Sequence, residues 1–209
     1  FAVNIEVPAT IKVVVNGEFP PFVGAKDLIL HIIGTLTAQG ANYKVLEFHG
    51  ETIRRMSTSG RIAVCNMSVE AGATSGIVPG DDETVRYLRE ESGVTEAIPC
   101  VAPDADAGYV RTVEVDVSTL EPQIACPHMV DNVKPVSAVA GTRVQQIVIG
   151  SCTNGRLDDL AVAAAILRGR KVATGTRMLV FPASGRIFQQ ALEHGYVQDF
   201  MKAGAVVMN

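Results

Sequence analysis

The chain contains no tryptophan, and aromatic residues make up only 5% of its 209 positions. Low aromatic content beside 19 glycines fits an α/β protein with tight, functional loops. No basic block or Lys/Arg stripe is present and the formal net charge is −4, which argues against a nucleic-acid partner. No uninterrupted apolar run reaches the length of a membrane span, and the opening FAVNIEV is not a signal peptide. No C-x-x-C occurs. The four cysteines, Cys65, Cys100, Cys126 and Cys152, lie in a chain too large to need disulfide staples. Free thiols in a reducing, cytoplasmic compartment are therefore expected. Cys126 and His128, with Cys152, match no zinc-ligand spacing. What is present is 47% hydrophobic and 19% charged residues, enough for one large or two small globular domains with a real core.

Residues 1–16 are rich in Val and Ile and end in Asn16-Gly17, which predicts a β-hairpin or strand pair. The apolar positions Leu28, Ile29, Ile32, Ile33 and Leu36 recur at helical spacing and predict a helix over 25–36. A strand is expected over 43–48 and a polar loop over 57–61. Residues 66–73 read as helical, with Asn66 and Glu70 one turn apart on one face. Asp81 or Asp82 can cap a helix that runs through Leu88 and Glu91. Alternation predicts a strand over 110–117. Pro122, Pro127 and Pro135 make 121–139 an extended connection and the candidate boundary, dividing the chain into 1–140 and 141–209. Beyond it, strands at 144–149, 177–181 and 205–208 alternate with helices at 158–167 and 187–194, and a short helical turn is expected over 200–203. That order argues for a parallel sheet with right-handed crossovers, whose ligands sit beyond the carboxyl ends of the strands.

The stretch Ser151-Cys152-Thr153-Asn154-Gly155-Arg156 falls at such a strand end. Free backbone N–H groups and a following helix favour a thiolate there. Three readings remain open on the residues alone. Cys152 is a ligand to an iron–sulfur cluster, or a nucleophile with His128 or His194 as base, or a structural thiol in a turn made by Asn154 and Gly155. Glu70 and Asn66 either form a packed polar site among small neighbours or face solvent as ordinary helix residues. His31 and His49 read as structural. Arg156 binds a carboxylate or solvates the loop.

Four segments carry a resemblance: IGSCTNGRLDDL at 149–160, VCNMSVEAGATSGIVPGDDET at 64–84, GAKDLILHIIGTL with YKVLEFHGETI, and DADAGY at 104–109. In this order they resemble the iron–sulfur subunit of the aconitase superfamily, most of all its 3-isopropylmalate dehydratase and homoaconitase branch. The resemblance implies an α/β fold of the aconitase iron–sulfur domain type, three-layer α/β/α subdomains with a parallel sheet in the C-terminal third. It implies a hydro-lyase that isomerises a hydroxy di- or tricarboxylic acid by dehydration and rehydration at a [4Fe–4S] cluster. Cys152 matches the first of three cluster cysteines. Asn66 and Glu70 match an asparagine and a glutamate of the active site, while Ser151, Asn154 and Arg156 fall in the cysteine loop as substrate contacts or loop support.

The same resemblance puts the other two cluster cysteines, as a C-x-x-C, after the strand at 205–208, and an Asp-x-His segment before Phe1. Further site residues belong to a separate small subunit or swivelling domain. The chain is thus expected to be a fragment, inactive alone, with an absent or incomplete cluster. Cys65, Cys100 and Cys126 match no cluster position. Two rivals stand beside this reading: a Cys-dependent acyl-transfer enzyme and a non-catalytic interaction module.

Overall fold

The computed structural model describes residues 6–208, with the side chain of Cys152 excepted. The β reading of residues 1–5 falls outside the described residues. In chain order the elements are β1 (Ala9–Asn16), α1 (Ala25–Leu36), β2 (Lys44–His49), α2 (Glu51–Arg55), α3 (Thr58–Met67), β3 (Ser75–Ile77), α4 (Asp82–Ser92), β4 (Arg111–Asp116), β5 (Gln123–Ala125) and β6 (Val133–Pro135). There follow β7 (Gln146–Gly150), α5 (Ser151–Asn154), α6 (Leu157–Leu167), β8 (Arg177–Phe181), α7 (Gly185–Glu193), α8 (Tyr196–Ala203) and β9 (Val206–Val207). The chain divides into two compact units, Phe1–Ala138 and Val139–Asn209.

In the first unit, β3-β2-β1-β4 form a wholly parallel sheet. One face is apolar throughout: Ile11, Val13 and Val15 of β1, Leu46 and Phe48 of β2, and Val113 and Val115 of β4 are buried together. The apolar stripe of α1, Leu28, Ile29, Ile32, Ile33 and Leu36, joins the same core. The opposite face of β1 and β2 is mixed, with Thr10, Lys12, Glu47 and His49 beside Val14 and Val45. Glu47 accepts a hydrogen bond from the Tyr109 hydroxyl at 3.0 Å and pairs with His49 at 2.6 Å, and Lys12 lies 5.0 Å from the Tyr109 ring centre. His49 and the DADAGY tyrosine thus serve the sheet. No hairpin follows Asn16-Gly17. Both neighbours of β1 are parallel strands, because Pro20 and Pro21 turn the chain into α1 instead of back along β1.

The loop expected over 57–61 is the first turn of α3. Ser57 caps it by accepting from the Gly60 N–H, and Glu83 accepts from both the N–H and the hydroxyl of Thr58. Gly60 lies inside the helix where a Cβ would come within 2.7 Å of the Met56 Cγ. Arg61, a polar residue in the sequence pattern, is 4% exposed. Its fork donates to both carboxylate oxygens of Asp81 at 2.6 and 2.8 Å, and its remaining donors reach the carbonyls of Met56 and Arg54. Asp81 also caps α4. One ion pair therefore locks α3 to the start of α4.

The proline-containing segment is not an extended connection. β5 and β6 form an antiparallel hairpin folded back on α1. Asp27 accepts from the Gln123 N–H, Asp131 accepts from the Ala38 N–H, and Val133 seats against Gly34. The segment belongs to the first unit, which ends at Ala138.

In the second unit, β7-β8-β9 form a parallel sheet. Its core joins Met178 and Val180 of β8 to Leu160 and Ala164 of α6, Ala191 of α7, and Val197 and Phe200 of α8. α8 is a full helix of two turns where only a short turn was expected. Val148 and Val206, on the other face, are about half exposed.

Two outcomes follow for the first unit. Arg61→Ala should lower its unfolding free energy by about 3 kcal/mol in urea titrations, and Arg61→Lys should not restore it, since an ammonium cannot span both oxygens. Arg61 holds the Asp81 carboxyl below its ordinary range, and Arg86 with Thr58 holds Glu83 down to about 2. Both folded values are depressed, so this stability is full above the unfolded carboxylate pKa and is lost as pH falls through the folded values. Acid unfolding should therefore steepen below about pH 4, and Glu83→Gln should flatten it in a pH series of melting curves.

Candidate functional site

β7 and β8 stay in register to the rung that pairs Gly150 with Phe181. There Gly150 adopts φ +136°, and a Cβ would collide with the Phe181 carbonyl. Ser151 follows at φ +72°, a left-handed conformation rare outside glycine, and its exposed hydroxyl lies 3.5 Å from that of Thr153. The chain then makes the single helical turn α5, not the open loop expected over 150–156. Cys152 is its second residue, and Gly155 and Arg156 stand between α5 and α6. Gly155 presses on the 181–183 turn, and its carbonyl accepts from the Ala183 N–H at 2.7 Å.

α6 begins after Arg156, whose own side chain makes no capping bond. Asp159, three residues on, supplies the contact. It accepts from the Arg156 N–H at 3.0 Å and from the Asn154 side-chain amide at 3.0 Å. Burial pushes its carboxyl above the ordinary range, opposed by these two donors. The Arg156 Nε is buried with no acceptor among the described residues. Asp159 escaped the sequence reading. Its signal was present as an acid three residues after the loop's last position, the reverse half of a capping box.

The other pair of candidate residues lies in the first unit. α3 ends at Met67 and tightens into a 3₁₀ turn, Ser68–Ala71. Asn66 lies in the last turn of α3 and Glu70 in the 3₁₀ turn after it. Both residues are exposed. The turn sits beside the amino-terminal ends of β2 and β3, where the Ala71 carbonyl accepts from the Ala41 N–H at 2.9 Å. The strand-end rule thus holds for the cysteine turn and not for Glu70. At the carboxyl ends of β1 and β4, Gly17 packs directly on Asp116 and Ser118.

Residues 2–209 match the model of the aconitase family (aconitate hydratase). The chain belongs to the aconitase family. It is 50% identical over 203 residues to a probable 3-isopropylmalate dehydratase large subunit of Methanothermobacter thermautotrophicus, covering 97% of this chain and 48% of that protein. It is 48% identical over 202 residues to the 3-isopropylmalate dehydratase large subunit of Oleidesulfovibrio alaskensis, with 97% and 48% covered. The chain thus spans about half the length of these curated relatives. Among solved structures it is similar to aconitase X of Thermococcus kodakaraensis in its holo-form, with a TM-score of 0.48 and 20% identity over 96% of this chain and 43% of that one.

A [4Fe–4S] cluster needs several thiolate ligands close together. Among the described residues no three His, Cys, Asp or Glu side chains gather where they could hold a metal ion. Cys65, Cys100 and Cys126 are free thiols of the first unit. Burial pushes Cys65 up to about 11, which keeps it protonated and inert at neutral pH. Cys152 can give one thiolate, and one thiolate does not hold four irons. His194 closes the far end of α7, its Nδ1 2.8 Å from the Gln190 carbonyl and its ring 5.4 Å from that of Tyr196. α7 rises about 13 Å over its length, so His194 lies at the end of that helix remote from β8. Gly150→Ala should cost the second unit about 2 kcal/mol or more, read as a lowered midpoint in denaturant, because backbone and not a flexible side chain opposes the new methyl.

Proposed function

We propose that the full-length protein is the large subunit of a 3-isopropylmalate dehydratase, a hydro-lyase that moves a hydroxyl between neighbouring carbons of a hydroxy acid by dehydration and rehydration. The observation that carries this reading is identity of about half along 97% of the chain to proteins of that name. In it Cys152 contributes one thiolate to a [4Fe–4S] cluster. When bound, such a cluster supplies an iron with an open position that polarises the leaving hydroxyl.

The chain's own residues have the following parts. Arg156 offers a buried N–H that lacks an acceptor, and a substrate carboxylate would provide one. Asn154, with its amide N–H committed to Asp159, presents an acceptor oxygen to a ligand. Ser151 is held exposed at the strand end by its positive φ. Asn66 and Glu70 are further polar active-site candidates, Glu70 to tune protonation around the iron. The substrate is a small hydroxy carboxylic acid, and a separate small subunit or swivelling domain completes the site. No helix among the described residues is long and apolar enough to cross a membrane. Free thiols and a cluster suit a reducing, cytoplasmic setting.

The test is anaerobic iron and sulfide reconstitution of the full-length protein with and without Cys152→Ser. The native protein should bind about four irons, and the variant well under half of that. Full iron retention by the variant would remove Cys152 from the ligand set. Absence of iron from the native protein would sink the dehydratase reading.

A further inference from the structure

We propose that Asp159 is the positioning residue of the cysteine turn: its carboxylate clamps Asn154 and Arg156 from the first turn of α6 and so sets how Cys152 is presented. The inference rests on the dehydratase reading of this turn, and it adds a residue that reading does not contain.

Capping alone accounts for only half of the contact. A helix start needs an acceptor for its unpaired N–H groups, and the bond from the Arg156 N–H meets that need. The second oxygen of Asp159 reaches past Gly155 to the side chain of Asn154. The two donors stand on either side of Gly155, whose carbonyl is itself tied to Ala183. The turn is thus held on both flanks: by β8's exit through Gly155 and by α6 through Asp159. A carboxylate half-buried in this place is costly unless both oxygens are used, and here both are. Asp159 touches no reacting atom in this arrangement. It acts through the residues it orients, as outer-shell partners of metal ligands do.

The clamp can be broken and rebuilt. Asp159→Ala removes both bonds. The exchange Asn154→Asp with Asp159→Asn rebuilds both: residue 159 still accepts from the Arg156 N–H, and its amide now donates to the carboxylate at 154. Net charge is unchanged. In the reconstituted full-length protein, loss of iron to an external chelator should be about tenfold faster for Asp159→Ala, and the exchange variant should return to within about twofold of the native rate. A native-like rate for Asp159→Ala, or an exchange variant that leaks as fast as Asp159→Ala, overturns the inference. Rescue by the exchange separates positioning from a general loss of stability, which the exchange would not selectively repair.

Failure of the underlying reading is visible separately, as a native protein that takes up no iron. The clamp is then read by iodoacetamide labelling of Cys152, with exposed Cys100 as internal control. Asp159→Ala should raise the Cys152 rate at least about threefold with Cys100 unmoved, and the exchange should reverse it. An unchanged Cys152 rate overturns the clamp on that arm as well.

Discussion

Where β7 meets β8 for the last time, two backbones come so close that no side chain fits between them. Gly150 faces the Phe181 carbonyl at that rung, and Gly155 returns to the same carbonyl five residues later. The cysteine turn is the chain's path between these two contacts. Its positive-φ serine, its single helical turn and its brace to α6 all follow from the need to leave the strand and come back to it in so few residues. A thiol placed here lies at the carboxyl end of a parallel strand, where α/β sheets present their chemistry.

The first unit solves a different problem. Its sheet is apolar on the side covered by α1 and α3 and mixed on the other, where Glu47 accepts from Tyr109 and pairs with His49. The end of the sheet that topology would offer to a ligand, between β1 and β4, is filled by Asp116 and Ser118 against Gly17. The residues that resemble an active-site pair lie instead toward the opposite ends of the strands, Asn66 in the last turn of α3 and Glu70 in the 3₁₀ turn that follows it. The two units therefore present their candidate groups from opposite ends of their strands.

Burial of charge separates structural from chemical residues in this chain. Arg61 is the most deeply buried cation, and each of its three guanidinium nitrogens donates to Asp81 or to a backbone carbonyl. Such a residue stabilises a helix junction and leaves nothing for a ligand. Arg156 is less buried, yet its Nε lacks an acceptor. The contrast marks Arg156, and not Arg61, as the arginine with a remaining hydrogen bond to make.

Much of this was legible in the order of residues. The stripe of α1, the alternation of β4, the aspartate cap of α4 and the β-α-β rhythm of the last third are local patterns, and local patterns survive folding when their apolar faces find a core. Membership of the aconitase family was legible too, in four short segments in order. What sequence alone misread depended on partners distant in the chain. A stretch of serine, threonine and glycine at 57–61 became helix because Glu83, 25 residues on, accepts from Thr58. A proline-rich run became a hairpin because Asp27 and Gly34 of α1 receive it, over 90 residues away for Gln123 and Asp27. Asp159 had the composition of any surface helix acid. Only its reach across Gly155 to Asn154, a contact that exists once the turn is folded, shows it as the clamp of the cysteine turn.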